Sequence, residues 1–133
     1  MTMLAPLRQP RWLSHVVEYL DAHYTDAVRV RTLATLAGVH PVHLGRVFRQ
    51  FHRCSVIQYQ TRMRIQRART LLGVPGLSLT RIALMTGFAD QSHFTRAFTA
   101  MLGCPPGEFR RAVHPDLRLA IDPTMPSPRR RVS

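Results

Sequence analysis

Ile82-Ala83-Leu84-Met85-Thr86-Gly87-Phe88-Ala89-Asp90-Gln91-Ser92-His93-Phe94-Thr95-Arg96-Ala97-Phe98 is the stretch that decides the fold. Two apolar runs at helical spacing flank a glycine and a short turn that ends in Asp90, a good helix cap. Ser78 stands where a cap for the first run belongs, and Gly87 where that run should stop. The same arrangement occurs earlier in the chain. His43-Leu44-Gly45-Arg46-Val47-Phe48 aligns with His93-Phe94-Thr95-Arg96-Ala97-Phe98 at an offset of fifty, where Cys54 also meets Cys104 and Tyr59 meets Phe109. Upstream, Leu33-Ala34 and Gly38 align with Ile82-Ala83 and Gly87 at forty-nine, so the second turn is one residue longer. Each copy is a short helix, a glycine, a turn and a second helix, which is the layout of a helix-turn-helix.

Working outward, the remaining pattern is also helical. Leu13, Val16, Val17, Leu20 and Tyr24 recur at three- and four-residue spacing and predict a first amphipathic helix. Leu33, Leu36 and Ala37 predict a short second one closed by Gly38. Pro41 suits the first turn of a third helix, where its missing N–H costs nothing, and that helix should bury Leu44, Val47, Phe48 and Phe51. An arginine-rich helix over 55–72 follows. After it, Ser78 caps a helix over 79–86, and Asp90 caps one whose apolar face is Phe94, Ala97, Phe98 and Met101. With seven helices at most and no convincing strand, the expected fold is all-α, two helix-turn-helix subdomains joined by a linker helix. The predicted divisions are a flexible lead over 1–10, a first subdomain over 11–53, a linker helix over 54–73, a second subdomain over 74–112, and a disordered tail rich in Pro and Arg over 113–133.

Charge narrows the partners. Nineteen basic residues stand against seven acidic ones in 133, a net charge of +12, and all nineteen are arginine. Between Asp26 and Asp90 there is no carboxylate, while Arg29, Arg31, Arg46, Arg49, Arg53, Arg62, Arg64, Arg67, Arg69 and Arg81 fall in that interval. Such a balance favours polyanions and leaves no carboxylate pair for acid–base catalysis. No Ser-His-Asp or Cys-His arrangement or glycine-rich phosphate loop is present, so no enzymatic activity and no cofactor are expected. His40-x-x-His43 has ligand-like spacing but lacks a second pair, so no metal is expected either. Two cysteines, Cys54 and Cys104, are too few for a disulfide scaffold, and their equivalent positions suggest small buried hydrophobes. No apolar run approaches the roughly 18 residues of a membrane span, and no secretory signal is evident. A cytoplasmic location, at the nucleoid when bound, is expected.

From about Trp12 to Arg111 the chain resembles the DNA-binding domain of the AraC/XylS family of bacterial transcription regulators. The resemblance rests on Ile82-Ala83, Gly87-Phe88, Gln91 to Phe98, Gly103-Cys104-Pro105-Pro106 and Phe109-Arg110. It is supported by Leu33-Ala34, Ala37-Gly38, His43-Leu44, Arg46, Phe48, Tyr59, Arg64-Ile65, Ala68 and Leu71-Leu72. It implies that two helix-turn-helix units insert their second helices into successive major-groove segments of double-stranded DNA. It also implies that RNA polymerase is a further candidate partner. Most relatives carry a separate ligand-sensing domain; these 133 residues have no room for one, so either a free-standing regulator or a domain of a longer protein is expected. The chain departs from the family pattern at His40, where a serine cap is common, and at Arg53 and Val56, where glycine and proline are usual. Arg81 stands at a commonly acidic position, and Gly45 where a reading side chain is frequent.

The core set of the third helix turns Val42, His43, Gly45, Arg46, Arg49 and Gln50 outward. Arg46 suits a forked contact to guanine O6 and N7, Val42 a thymine methyl, and Gly45 close backbone approach. Arg49 and His43 are assigned to the DNA backbone. In the second unit Arg96 repeats Arg46, with Gln91, Ser92 and Thr95 as further base contacts. His93, Thr99, Arg110 and Arg111 complete the backbone set. Arg62 and Arg69 project to one side of the linker helix and Arg64 and Arg67 to another, so at most one pair can meet the same phosphates. Because both reading helices lie in one chain, a monomer on an asymmetric site is expected. The alternative is a non-specific basic protein that binds RNA or an anionic membrane surface.

Overall fold

The computed structural model describes residues 8–113. The expected tail over 113–133, its first residue apart, lies outside them, as does most of the lead over 1–10. Among the described residues there are seven helices and no strand. They are α1 (Arg11–Ala22), α2 (Val30–Ala37), α3 (Pro41–His52), α4 (Val56–Leu71), α5 (Leu79–Met85), α6 (Gln91–Leu102) and α7 (Pro106–Val113). They fall into two compact units that divide between Gln60 and Thr61, inside α4.

In the first unit, α1 buries Leu13, Val16 and Leu20, α2 adds Leu33 and Ala34, and α3 adds Leu44, Val47 and Phe48. Cys54 and Val56 close this core. The periodicity was right about which side faces inward but too generous about its width. Leu36 is 61% exposed, Phe51 and Val17 are half-buried, and Tyr24 lies beyond the end of α1. The start of α4 carries a reciprocal cap, in which Ser55 Oγ accepts from the Gln58 N–H and Gln58 Oε1 accepts from the Ser55 N–H. One turn on, Gln60 is buried, and its Nε2 donates to the carbonyls of Tyr24 at 3.2 Å and Asp26 at 2.6 Å. The segment between α1 and α2 is thereby fixed. The Phe48 ring stacks on His52 at 4.5 Å and meets Tyr59 edge-on at 5.5 Å. His52 Nε2 is buried with no hydrogen-bond partner. Burial, then the Asp21 carboxylate to which its hydroxyl donates, raises the Tyr59 pKa to about 12.

The second unit repeats this construction. Ile65 and Ala68 of α4, and Leu72 just past its end, pack with Ile82, Ala83, Phe88, Phe94 and Phe98. These residues stand fifty-two positions after Leu13, Val16 and Leu20 of α1, so the second half of α4, with Leu72 after it, does in this unit what α1 does in the first. α7, which begins at the buried Pro106, takes the place that the start of α4 holds in the first unit. Thr86 is fully buried and satisfies its hydroxyl within α5, donating to the Ile82 carbonyl at 2.7 Å. Two expectations need correction: Met101 is 39% exposed rather than part of the α6 apolar face, and Cys104 is half-buried where Cys54 is fully so.

Candidate nucleic-acid interface

α3, α5 and α6 each have their start fixed by a side chain. Asp90 Oδ1 accepts from the His93 N–H at 2.8 Å, and Ser78 Oγ accepts from the Arg81 N–H at 3.1 Å. At α3 the cap is an imidazole: His40 Nδ1 accepts from the Val42 N–H at 3.1 Å, with Pro41 in the first turn. His40 therefore does the work of the absent serine. The ends of α3 and α6 differ in residue but not in geometry. Gly103 closes α6 in the left-handed region at φ 85°, and Arg53, its equivalent, closes α3 there at φ 61°.

These frames present two shallow grooves. Along α3 the lining includes Val42, Gly45, Arg46 and Arg49, joined by Val30 at the start of α2 and Ile57 in the first turn of α4, around a volume of ≈ 560 Å³. Along α6 it is Gln91, Ser92, Thr95 and Arg96, around ≈ 520 Å³. Arg46, Arg49 and Arg96 are exposed, as are His43, Ser92 and His93, while Gln91, Thr95 and Gly45 are half-buried. The seven candidate base contacts thus line these two grooves, four residues to the α6 groove and three to the α3 groove. Gln91 is held in place by Thr80, whose hydroxyl donates to its Oε1 at 2.7 Å. The ring of His43 lies 5.9 Å from Trp12, and that of His93 5.2 Å from Phe88. Val30 and Ile57 were missed in the sequence because both lie outside the second helix of the repeat.

Two candidate backbone contacts have other duties. Arg110 donates from Nε to the Leu72 carbonyl at 2.9 Å and from Nη2 to the Leu77 carbonyl at 2.7 Å, and its burial lowers its pKa. Its fork holds the α4–α5 connection, as Gln60 holds the one before α2. Thr99 donates its hydroxyl proton to the Thr95 carbonyl at 2.7 Å, which leaves none for a phosphate oxygen. Both side chains are thus engaged within the fold, and the reading proposed below assigns neither to the DNA backbone. Arg111 is half-buried. The linker-helix arginines divide across the expected pairs: Arg64 lies 5.6 Å over the Phe88 ring, and Arg69 5.6 Å over Phe109. Among the described residues no group of three or more His, Cys, Asp or Glu is placed to hold a metal ion, and no helix is long and apolar enough to cross a membrane.

Residues 33–112 match the family described as a helix-turn-helix domain. The chain is 39% identical over 96 residues to the HTH-type transcriptional regulator GlxA of Rhizobium meliloti, a match covering 72% of this chain and 30% of that protein. It is 33% identical over 100 residues to the probable transcription factor PqrA of Proteus vulgaris, covering 74% and 82%. Among solved structures, it is similar to the DNA-binding domain of AdpA, determined in complex with a target DNA, with a TM-score of 0.70 and 26% identity over 80% or more of both chains (84% and 96%). The chain spans under a third of the length of GlxA and most of PqrA. By this match, and by the seven helices of the described residues, arranged as two capped helix-turn-helix units, the chain belongs to the AraC-type family of helix-turn-helix transcription regulators.

Proposed function

We propose that this chain is a sequence-specific double-stranded DNA-binding transcription regulator whose α3 and α6 read two adjacent major-groove segments. One observation carries the reading. Arg46 and Arg96 are exposed at equivalent positions of the two second helices, each lining a groove of its own unit. A guanidinium there can fork onto guanine O6 and N7. Val42 and Gly45 on α3, and Gln91, Ser92 and Thr95 on α6, complete the base-reading set. Arg49, His43, His93 and Arg111 supply backbone contacts that set register. On α3 the charge of Arg46 and Arg49 acts unopposed by neighbouring acids in sequence, because no carboxylate stands between Asp26 and Asp90. The protein acts as a monomer on an asymmetric site in the cytoplasm, with RNA polymerase as a further partner. The solved relative AdpA, whose DNA-binding domain is bound to a target DNA, supports this reading by analogy.

Footprinting tests it. The expected result is one protected site with two segments about one turn, roughly 34 Å, apart. With about six phosphates neutralised, log affinity should fall against log salt with a slope of about −5. Equal affinity for every duplex, or preference for structured RNA or anionic vesicles at fixed salt, overturns it.

A further inference from the structure

The two units share a frame but not the chemistry of their grooves. The α6 groove is lined by Gln91, Ser92, Thr95 and Arg96, all of them polar. At the positions equivalent to Ser92 and Thr95, α3 carries Val42 and Gly45. Val42 is 61% exposed, and Ile57, across the groove, is 67% exposed, with Val30 completing an apolar wall. A depression that turns apolar side chains to water can take an apolar group. Arg46 and Arg49 line the same depression, so its occupant is an apolar group carried on a polyanion. In the major groove of duplex DNA, that group is the 5-methyl of thymine.

Gly45 shapes the seat. Its backbone is ordinary helix, so no unusual φ calls for glycine, and a mid-helix glycine costs about 1 kcal/mol relative to alanine. A Cβ placed there would meet nothing within 4 Å. The missing side chain leaves helix backbone as the floor beside Val42. We propose that the depression at Gly45 is a seat for one thymine methyl, and that Val42 and Gly45 give the α3 segment a thymine preference that the α6 segment lacks. This rests on the DNA-reading function proposed above and specifies what α3 reads.

The experiment uses the full chain on the duplex it selects from a random pool. Each thymine in the segment protected by α3 is replaced singly by deoxyuridine, which removes only the methyl. One replacement should weaken binding about four-fold, the worth of one buried methyl. In Val42→Ala, a change at an exposed position, that replacement should have no effect. In Gly45→Leu, which fills the seat, the thymine preference should vanish. Replacements in the α6 segment should change affinity less than two-fold, on the order of the noise in such data. If specific binding persists while no α3-segment thymine is sensitive, or the loss is unchanged in Val42→Ala, the seat is refuted and the wider reading stands. If no duplex is preferred at all, the DNA-reading function fails and the seat with it.

Discussion

Gln60 and Arg110 stand fifty residues apart at equivalent positions, and each donates two hydrogen bonds to two backbone carbonyls of its own unit. In each case the carbonyls belong to the connection before the first helix of a helix-turn-helix. One unit uses a neutral amide for this and the other a guanidinium. The consequence is that a residue of DNA-binding charge is structural. Arg110→Leu should destabilise the second unit by about 2–3 kcal/mol, because two carbonyls lose their partners. Gln60→Leu should do the same in the first unit. Denaturant titration measures both. At temperatures where the variant stays folded, Arg110→Leu should keep the wild-type salt slope of DNA binding, whereas Arg49→Ala should flatten it by about 1. A flattened slope for Arg110→Leu would return it to the backbone set.

Arg53 is held in a left-handed conformation that its equivalent, Gly103, adopts without a Cβ penalty. Arg53→Gly should therefore stabilise the first unit by about 1 kcal/mol, and Gly103→Arg should destabilise the second by about as much. A Cβ at Gly103 meets nothing within 4 Å, so that cost is conformational rather than steric. Thermal unfolding of the two variants gives the comparison. A destabilised Arg53→Gly would mean that the arginine side chain contributes more than its backbone costs.

His52 gives the first unit an acid limit. Burial lowers its pKa below 6.5, with Asp21 acting weakly in the opposite direction. The unfolded chain therefore binds a proton that the folded one refuses, and stability rises with pH across that window. The contribution is fully present above about 6.5 and is lost as pH falls from there through the folded-state value. His52→Phe keeps the ring against Phe48 and removes the titration. Its denaturation midpoint should fall less than the wild type's between about pH 7 and pH 5, around the ordinary histidine range. Parallel midpoints over that range would remove His52 as the cause.

Much of this was legible in the sequence because short-range signals agreed with one another. Ser78 and Asp90 cap where they were expected to, Gly38 closes α2, and the repeat placed both second helices. Three things were hidden. The double service of α4 went unseen because its arginines dilute the apolar period that Ile65, Ala68 and Leu72 share with α1. The outward turn of Leu36 and Met101 reflects the width of the packed face, which periodicity does not measure. The partners of Arg110 and Thr99 are backbone carbonyls, and nothing in residue type announces a carbonyl in need of a donor. Val30 and Ile57 escaped for a related reason, since they reach the α3 groove from neighbouring helices.

The central claim is that Arg46 and Arg96 read bases in separate segments. Selection from a random duplex pool, run with the wild type, Arg46→Ala and Arg96→Ala, tests it most directly. The wild type should yield one asymmetric site with two conserved segments. Each substitution should cost about 1–3 kcal/mol on that site and relax preference in its own segment alone, leaving the other intact. If both substitutions weaken binding to all sequences alike and the selected site is unchanged, the two arginines contact the backbone, and the account of how this chain recognises DNA is wrong.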